Sequence, residues 1–334
     1  MINTALLSYG MSGEVFHAPL LHVHSEFRLK SILERNSGRS VIKYPYVQIE
    51  KDVHSIAYDP DIELVIINTP NVTHFPFAKM MIEAGKHVVL EKPMTTTFAE
   101  AQELIKLAKQ HRRILTVFQN RRWDGDFLTV KKIVESNVLG DLVEFEARYD
   151  RYRPYIEENT WKENNDPGSG LLYNLGSHMI DQALVLFGEP QAVHTDCRIQ
   201  RKGGKVIDFY NIFLDYKKLR VSLKSSYLVR QHGPRYVLHG HKGSFIKYGI
   251  DPQEQDLKDN LQPDGLNWGV EDPKNWGELN TEINGLHYQG KVETVPGNYL
   301  AFYDNLYQAV KNGKELAVKP EEAARVVQLI ENAS

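Results

Sequence analysis

Five short segments carry residues whose types and spacing suit one chemistry. Ser8-Tyr9-Gly10-Met11-Ser12-Gly13 follows an apolar run and opens a helical pattern. In that setting Gly10 lets the backbone approach a pyrophosphate and Gly13 lets the helix pack close to the strand. The free N–H groups of the helix start attract phosphate. Ser8 stands at the first glycine of Gly-x-Gly-x-x-Gly, and an ordinary strand-to-helix turn gives the same pattern. Glu34-Arg35 falls roughly 20 residues on, where a ribose-reading residue belongs. A carboxylate there accepts from ribose hydroxyls and repels a 2′-phosphate, whereas an arginine fork matches one. A solvated charge pair is the alternative. Thr69-Pro70-Asn71-Val72-Thr73-His74 ends an apolar run, and Asn71 or Thr73 equally suits a helix cap. In Glu91-Lys92-Pro93 the proline holds Lys92 out of helical conformation and aims it over the crevice outside the strand ends. An ammonium near an oxidised nicotinamide loses basicity and can exchange a proton with a reacting hydroxyl, although most lysines are simply solvated. Finally, Asn174-Leu175-Gly176-Ser177-His178-Met179-Ile180-Asp181 opens a helix after a glycine-rich loop. His178 is a natural acid or base near neutrality, and Asp181 shares its helix face. A buried histidine held by Asp181 is the structural alternative.

The elements around these segments follow from periodicity. Apolar runs at Ala5–Leu7, Arg28–Leu33, Leu64–Asn68, His87–Leu90 and Ile114–Phe118 are expected strands. Helical patterns lie between them at Gly13–His24, His74–Ala84 and Thr97–Gln110. Continuous β-branched runs alternating with helices predict a parallel sheet covered on both faces. After Gln119 the pattern changes. Helices are expected at Phe127–Asn137 and from Gly170 to Leu186, with an alternating strand at Leu142–Tyr149. Further strands are expected near Ala192–Gln200, Asp208–Tyr216, Leu219–Tyr227, Arg235–His239 and Ser244–Tyr248. Short turns between alternating strands predict an antiparallel sheet. Residues 251–298, rich in Pro, Gly, Asn and charge, read as a long surface excursion, and helices Tyr299–Asn312 and Pro320–Asn332 close the chain. The fold class is therefore an α/β domain over residues 1–120 followed by an α+β domain, with an open, mainly antiparallel sheet, over 121–334.

Composition narrows the function. The 334 residues contain 43 acidic and 40 basic side chains, for a formal net charge of −3. Such balance leaves no electrostatic footprint for nucleic acid or an anionic membrane. The single cysteine, Cys197, fits a reducing, cytoplasmic setting. No metal is expected, because the pairs His22/His24 and His239/His241 lack neighbouring ligands.

The order of the five segments resembles the Gfo/Idh/MocA family of oxidoreductases along essentially the whole chain. Ser8–Gly13 with Val15-Phe16-His17-Ala18-Pro19, Asn68-Thr69-Pro70 with Thr73-His74, and Ala84-Gly85-Lys86-His87-Val88 with Glu91-Lys92-Pro93 look like its nucleotide-binding half. Gln119-Asn120-Arg121-Arg122-Trp123-Asp124, Asp150-Arg151-Tyr152-Arg153-Pro154 and Gly176–Gln182 look like the branch containing scyllo-inositol dehydrogenases. The resemblance implies a Rossmann domain, a C-terminal sheet that builds a homodimer or homotetramer, and hydride transfer between a sugar or inositol carbon and NAD or NADP. Lys92 and His178 fall on the family's catalytic lysine and histidine. Asn174 replaces the usual aspartate, which leaves the proton route open. The expected cofactor contacts are Ser8, Gly10, Met11, Ser12, Gly13, Glu34, Arg35, Thr69, Pro70, Asn71, His74, Glu91, Lys92 and Asn120, and Glu34 leans the choice toward NAD. The expected substrate side comprises Lys92, Asn120, Arg122, Arg153, Trp161, Asn174 and His178. His178 would take the hydroxyl proton while Lys92 stabilises the alkoxide. Two other classes remain at this point: a glycosidase that retains its nicotinamide, and a cofactor-binding regulator without catalysis.

Overall fold

The computed structural model describes residues 1–158 and 160–333, which form two compact units. The first contains residues 1–120, 253–268 and 299–328. Its strands are β1 (Ile2–Leu6), β2 (Phe27–Leu33), β3 (Gln48–Glu50), β4 (Leu64–Ile67), β5 (His87–Leu90) and β6 (Leu115–Val117). All pair in parallel, in the order β3-β2-β1-β4-β5-β6. This is a Rossmann sheet, with its topological switch point between β1 and β4. Every residue of β4 and the last three of β5 are buried, as an apolar run covered on both faces requires.

The intervening helices are α1 (Ala18–Val23), α2 (Ser40–Lys43), α3 (Val53–Ala57), α4 (His74–Glu83) and α5 (Phe98–His111). A π-helical turn, Gly13–His17, leads into α1. The start of α5 is set by a capping box in which Thr97 and Glu100 satisfy each other's backbone N–H groups. Gly85, at φ 79°, takes the left-handed position after α4. The sheet has six strands where five were expected. The missed β3 is only three residues long and half exposed, too short to show a period.

The second unit contains residues 121–252, 269–298 and 329–334. It has α6 (Gly125–Glu135), β7 (Leu142–Arg148), α7 (Ser177–Phe187), β8 (Ala192–Arg198), β9 (Phe209–Tyr216), β10 (Leu219–Ser226), β11 (Tyr236–Gly240) and β12 (Gly243–Lys247). The expected surface excursion over 251–298 is corrected. It contains helix α8 (Gln253–Lys258), which belongs to the first unit, and a hairpin of β13 (Gly277–Ile283) and β14 (Leu286–Val292). The hairpin turns on Asn284-Gly285, both at positive φ, the geometry of a two-residue primed turn. The sheet runs β14-β13-β12-β11-β7-β10-β9-β8 and is antiparallel except for the β10–β7 pair. Lys247 anchors the excursion from within: its ammonium reaches both Glu271 oxygens at 2.8 Å, and Thr294 donates to Glu271 at 2.6 Å.

A cut at residue 120 separates the two sheets, but not every later segment stays with the second. Helices α9 (Leu300–Asn312) and most of α10 (Pro320–Glu331) return to the first unit. There Phe302 and Tyr303 of α9 pack on Phe118, and Thr116 donates to Val318 O at 2.7 Å. These contacts bury apolar surface that the first 120 residues alone would leave in water.

Candidate active site

In the first unit the chain ends of β1, β4 and β5 are tied into one wall. Asn68 Nδ2 donates to Ser8 O at 2.8 Å, which joins the loop after β4 to the fingerprint. Gly13 packs directly on this bond. A Cβ there would stand 2.2 Å from Ser8 O and 2.7 Å from Asn68 Nδ2. Only glycine permits this closeness, so the helix start is held against β1 while Gly10 and Met11 remain exposed. The arrangement fits the pyrophosphate of a dinucleotide: exposed backbone at a helix N-terminus, at the switch point of a parallel sheet.

His74 is fully buried, with its ring nitrogens 2.9 Å from Pro93 O and 3.0 Å from Thr69 O. Burial pushes its pKa down against the pull of the two carbonyls; the neutral ring donates to one of them at a time and the charged ring to both. It thus bolts the end of β4 to the Lys92–Pro93 turn from within, rather than facing the crevice as a cofactor contact. Pro70 is exposed and Asn71 buried. Thr73 does not cap α4; its hydroxyl donates to Pro70 O at 2.6 Å and lies 2.6 Å from Thr69 Oγ1.

The Lys92–Pro93 bond is cis, and Lys92 is half-buried. Glu91 beside it is held by a relay that sequence reasoning missed. Tyr303 Oη lies 2.7 Å from His17 Nδ1, His17 Nε2 lies 3.1 Å from Glu91 Oε1, and Glu91 Oε2 accepts from the Lys92 backbone N–H at 3.1 Å. Burial by itself would raise the Glu91 pKa, but His17 and the neighbouring Lys92 charge outweigh it and hold the carboxylate ionised. His17 stood in a quoted motif, but nothing local marked it, because its partners lie 74 and 286 residues away.

The tip of β2 departs from expectation. Glu34 is buried, and both its oxygens are engaged. Ser37 Oγ donates at 2.5 Å, and the backbone N–H groups of Arg39 and Ser40 each donate at 3.0 Å. Burial pushes the Glu34 pKa up, but these donors win and keep it below the usual carboxylate range. Arg35 and Arg39 are exposed beside it, and Arg39 also donates to Tyr9 O at 3.1 Å.

In the second unit Asn174 lies in a π-helical turn, Leu172–Gly176, that runs straight into α7. His178 is 3% exposed, one residue into α7. Asp181, the partner in the structural alternative for His178, takes the fork of Arg122: Nε to Oδ2 at 2.7 Å and Nη2 to Oδ1 at 2.6 Å. Arg122 is thus tied to a buried carboxylate through Nε and Nη2. Arg153 is half-exposed, with Nη1 3.5 Å from Glu157. Trp161 lines a cavity of about 580 Å³ with Glu157, Glu158, Asn164 and Lys205. Asn120 is buried at the start of a 3₁₀ turn, Asn120–Trp123, after β6. Among the described residues, no group of three or more His, Cys, Asp or Glu side chains could hold a metal ion.

Residues 2–119 match the family described as oxidoreductase, NAD-binding Rossmann fold, and residues 131–334 match its C-terminal alpha/beta domain. The chain belongs to the Gfo/Idh/MocA oxidoreductase family. Among Gfo/Idh/MocA proteins it is 40% identical to scyllo-inositol 2-dehydrogenase (NADP(+)) IolW of Bacillus subtilis, over 99% of this chain and 92% of that one. It is 39% identical to oxidoreductase YdgJ of Escherichia coli, over 99% and 94% of the two chains. The solved structure of yvaA from Bacillus subtilis superposes with a TM-score of 0.94 at 38% identity, covering 100% of this chain and 96% of that one.

Proposed function

We propose that this protein oxidises a secondary hydroxyl of an inositol or related polyol, with NADP as acceptor, using Lys92 and His178. The observation that carries the reading is the wall described above. A lysine-bearing turn at the end of β5 is bonded, through His74 and Asn68, to the glycine turn that suits a pyrophosphate. The 40% identity to a relative named as an NADP(+)-dependent scyllo-inositol 2-dehydrogenase supplies the substrate class.

The choice of NADP reverses the lean drawn from Glu34. That carboxylate is buried and already accepts three hydrogen bonds within its own loop, which weakens its claim on ribose hydroxyls. Exposed Arg35 is the neighbouring side chain left to meet a 2′-phosphate, with Arg39, already on Tyr9 O and 3.5 Å from Glu14, beside it. Ser8–Gly13 would hold the pyrophosphate, and the bound nicotinamide would supply the hydride acceptor. His178 takes the proton from the substrate hydroxyl, and the Lys92 ammonium stabilises the negative charge that develops on that oxygen. Asn174 donates or accepts as an amide and carries no charge, so the proton leaves through His178. A homodimer or homotetramer through the open face of the C-terminal sheet, and a cytoplasmic setting, are part of the same proposal. Support for the first comes from the strand side opposite the core, which carries Glu146, Arg148 and Phe213.

The test is turnover. With scyllo-inositol, other inositols and aldoses, formation of NADPH is followed by absorbance. Lys92→Ala and His178→Ala are each expected to reduce kcat about 10²–10⁴-fold. Undiminished turnover in both variants would end the assignment. A released sugar with no net NADPH would favour a nicotinamide-retaining glycosidase instead.

A further inference from the structure

We infer that Arg122 is a positioning residue: its bond to Asp181 fixes the turn of α7 that presents His178. This rests on the polyol-oxidising reading above. His178 and Asp181 are three residues apart on α7 and so share one helix face. The Arg122–Asp181 pair is bidentate, at 2.7 and 2.6 Å, and its side chains are only 10% and 3% exposed. Two parallel charged hydrogen bonds set direction as well as distance.

The next residue is pinned as well. Gln182 Nε2 donates to Arg121 O at 2.9 Å, and Gln182 Oε1 accepts from Tyr236 Oη at 2.9 Å. The two neighbouring arginines therefore act together. The Arg121 carbonyl and the Arg122 guanidinium hold successive residues of α7, one turn beyond His178.

α7 needs such outside support. It emerges from the π-helical turn Leu172–Gly176, and its N-cap, Gly176, makes no side-chain capping bond. A π turn has the wider i to i+5 spacing and is frequent at functional sites. His178 lies two residues past that turn. Tertiary bonds along the helix add to its aim: Tyr210 Oη donates to Met179 Sδ at 3.1 Å, and Asp181 and Gln182 are held as above. A displacement of 1 Å at a reacting group is enough to cost roughly 100-fold in rate.

The experiment compares Arg122→Ala, Asp181→Asn and the double variant Arg122→Ala/Asp181→Ala, using NADP and scyllo-inositol. Each single change is expected to lower kcat on the order of 100-fold, with KM for the polyol and Kd for NADP nearly unchanged. The double variant should be no worse than the worse single one, because the pair acts as a unit. Free guanidinium in the assay should restore part of the kcat of Arg122→Ala. In the apoprotein, the His178 Cε1–H resonance, assigned by its loss in His178→Gln, should move in both single variants. It should not move in Lys247→Met/Glu271→Leu, which removes a different buried pair of the same unit. If Arg122→Ala does not fold, Arg122→Lys, which keeps the charge and loses the fork, goes through the same measurements. A raised KM with kcat intact would make Arg122 a substrate ligand and overturn the inference, as would an unmoved His178 resonance. If the wild-type protein turns over no polyol, the parent reading fails, and the apoprotein resonance still decides whether Arg122 holds His178.

Discussion

Replacing Gly13 by alanine should loosen the dinucleotide wall without touching any catalytic side chain. The added methyl carbon would lie 2.2 Å from Ser8 O and 2.7 Å from Asn68 Nδ2. These atoms are the acceptor and donor of one hydrogen bond, 2.8 Å long, that joins the β1 and β4 loops. Gly13 is not at positive φ, so the backbone conformation accepts alanine and only space forbids it. Relaxing to a contact of roughly 3.5 Å requires the helix start to withdraw by about 1 Å. Overpacking of this kind costs about 1–3 kcal/mol, and stretching the Asn68 bond adds about 1 kcal/mol. A drop of roughly 3–6 °C in Tm follows for a chain of 334 residues. The same withdrawal carries the helix N–H groups away from the phosphates, so Kd for NADPH should rise about tenfold or more. Thermal unfolding and a fluorescence titration with NADPH read both quantities. Gly10→Ala is the internal control. Its Cβ would meet only Ser8 Oγ, at 3.3 Å, and turning that hydroxyl aside gives up just its exposed 3.0 Å bond from Gly10 N–H, about 1 kcal/mol at most, so the loss should be well below that of Gly13→Ala. If Gly13→Ala matches wild type in both Tm and Kd, the packing argument for the fingerprint is wrong.

Arg35→Ala should raise KM for NADP about 10–100-fold, the worth of one lost charged hydrogen bond, while KM for NAD stays level; equal changes for both cofactors would contradict the 2′-phosphate assignment. Acid should destabilise the first unit through His87. Burial, aided by the Arg113 charge, lowers its pKa from 6.5 to about 4, and its Nδ1 accepts from Ile114 N–H at 2.9 Å. Between those two values the unfolded chain binds the proton that the folded chain refuses, so stability falls as pH drops from 6.5 toward 4. Urea midpoints across that window should show a shallower slope for His87→Gln, and an unchanged slope would refute the sign. Lys247→Met strands the buried Glu271 carboxylate and should cost about 3–5 kcal/mol by denaturant unfolding. Lys247→Met/Glu271→Leu should recover much of that loss, and a double variant weaker than the single would argue against a stranded charge.

The architecture was legible where the determining pattern is local. Leu64–Ile67 and His87–Leu90 are unbroken apolar runs, and Thr97 with Glu100 spells a helix start. The glycine turn and the Glu91-Lys92-Pro93 turn announce themselves by type and by their place after a strand. Asn284-Gly285 is a strong hairpin dipeptide, but the polar stretch around it reads as surface loop.

Residue type and local spacing thus determined by themselves the two-part fold and its parallel and antiparallel sheets. Tertiary structure alone decided which partner each polar side chain takes. Glu34 turned inward to Ser37–Ser40, Arg122 went to Asp181 across 59 residues, and His17 bridged Tyr303 and Glu91. The same holds for the return of 253–268 and 299–328 to the first unit. The reason is physical: periodicity reports which face of an element is buried. The partner of a buried charge is chosen by geometry and desolvation among residues that meet only once the chain has folded.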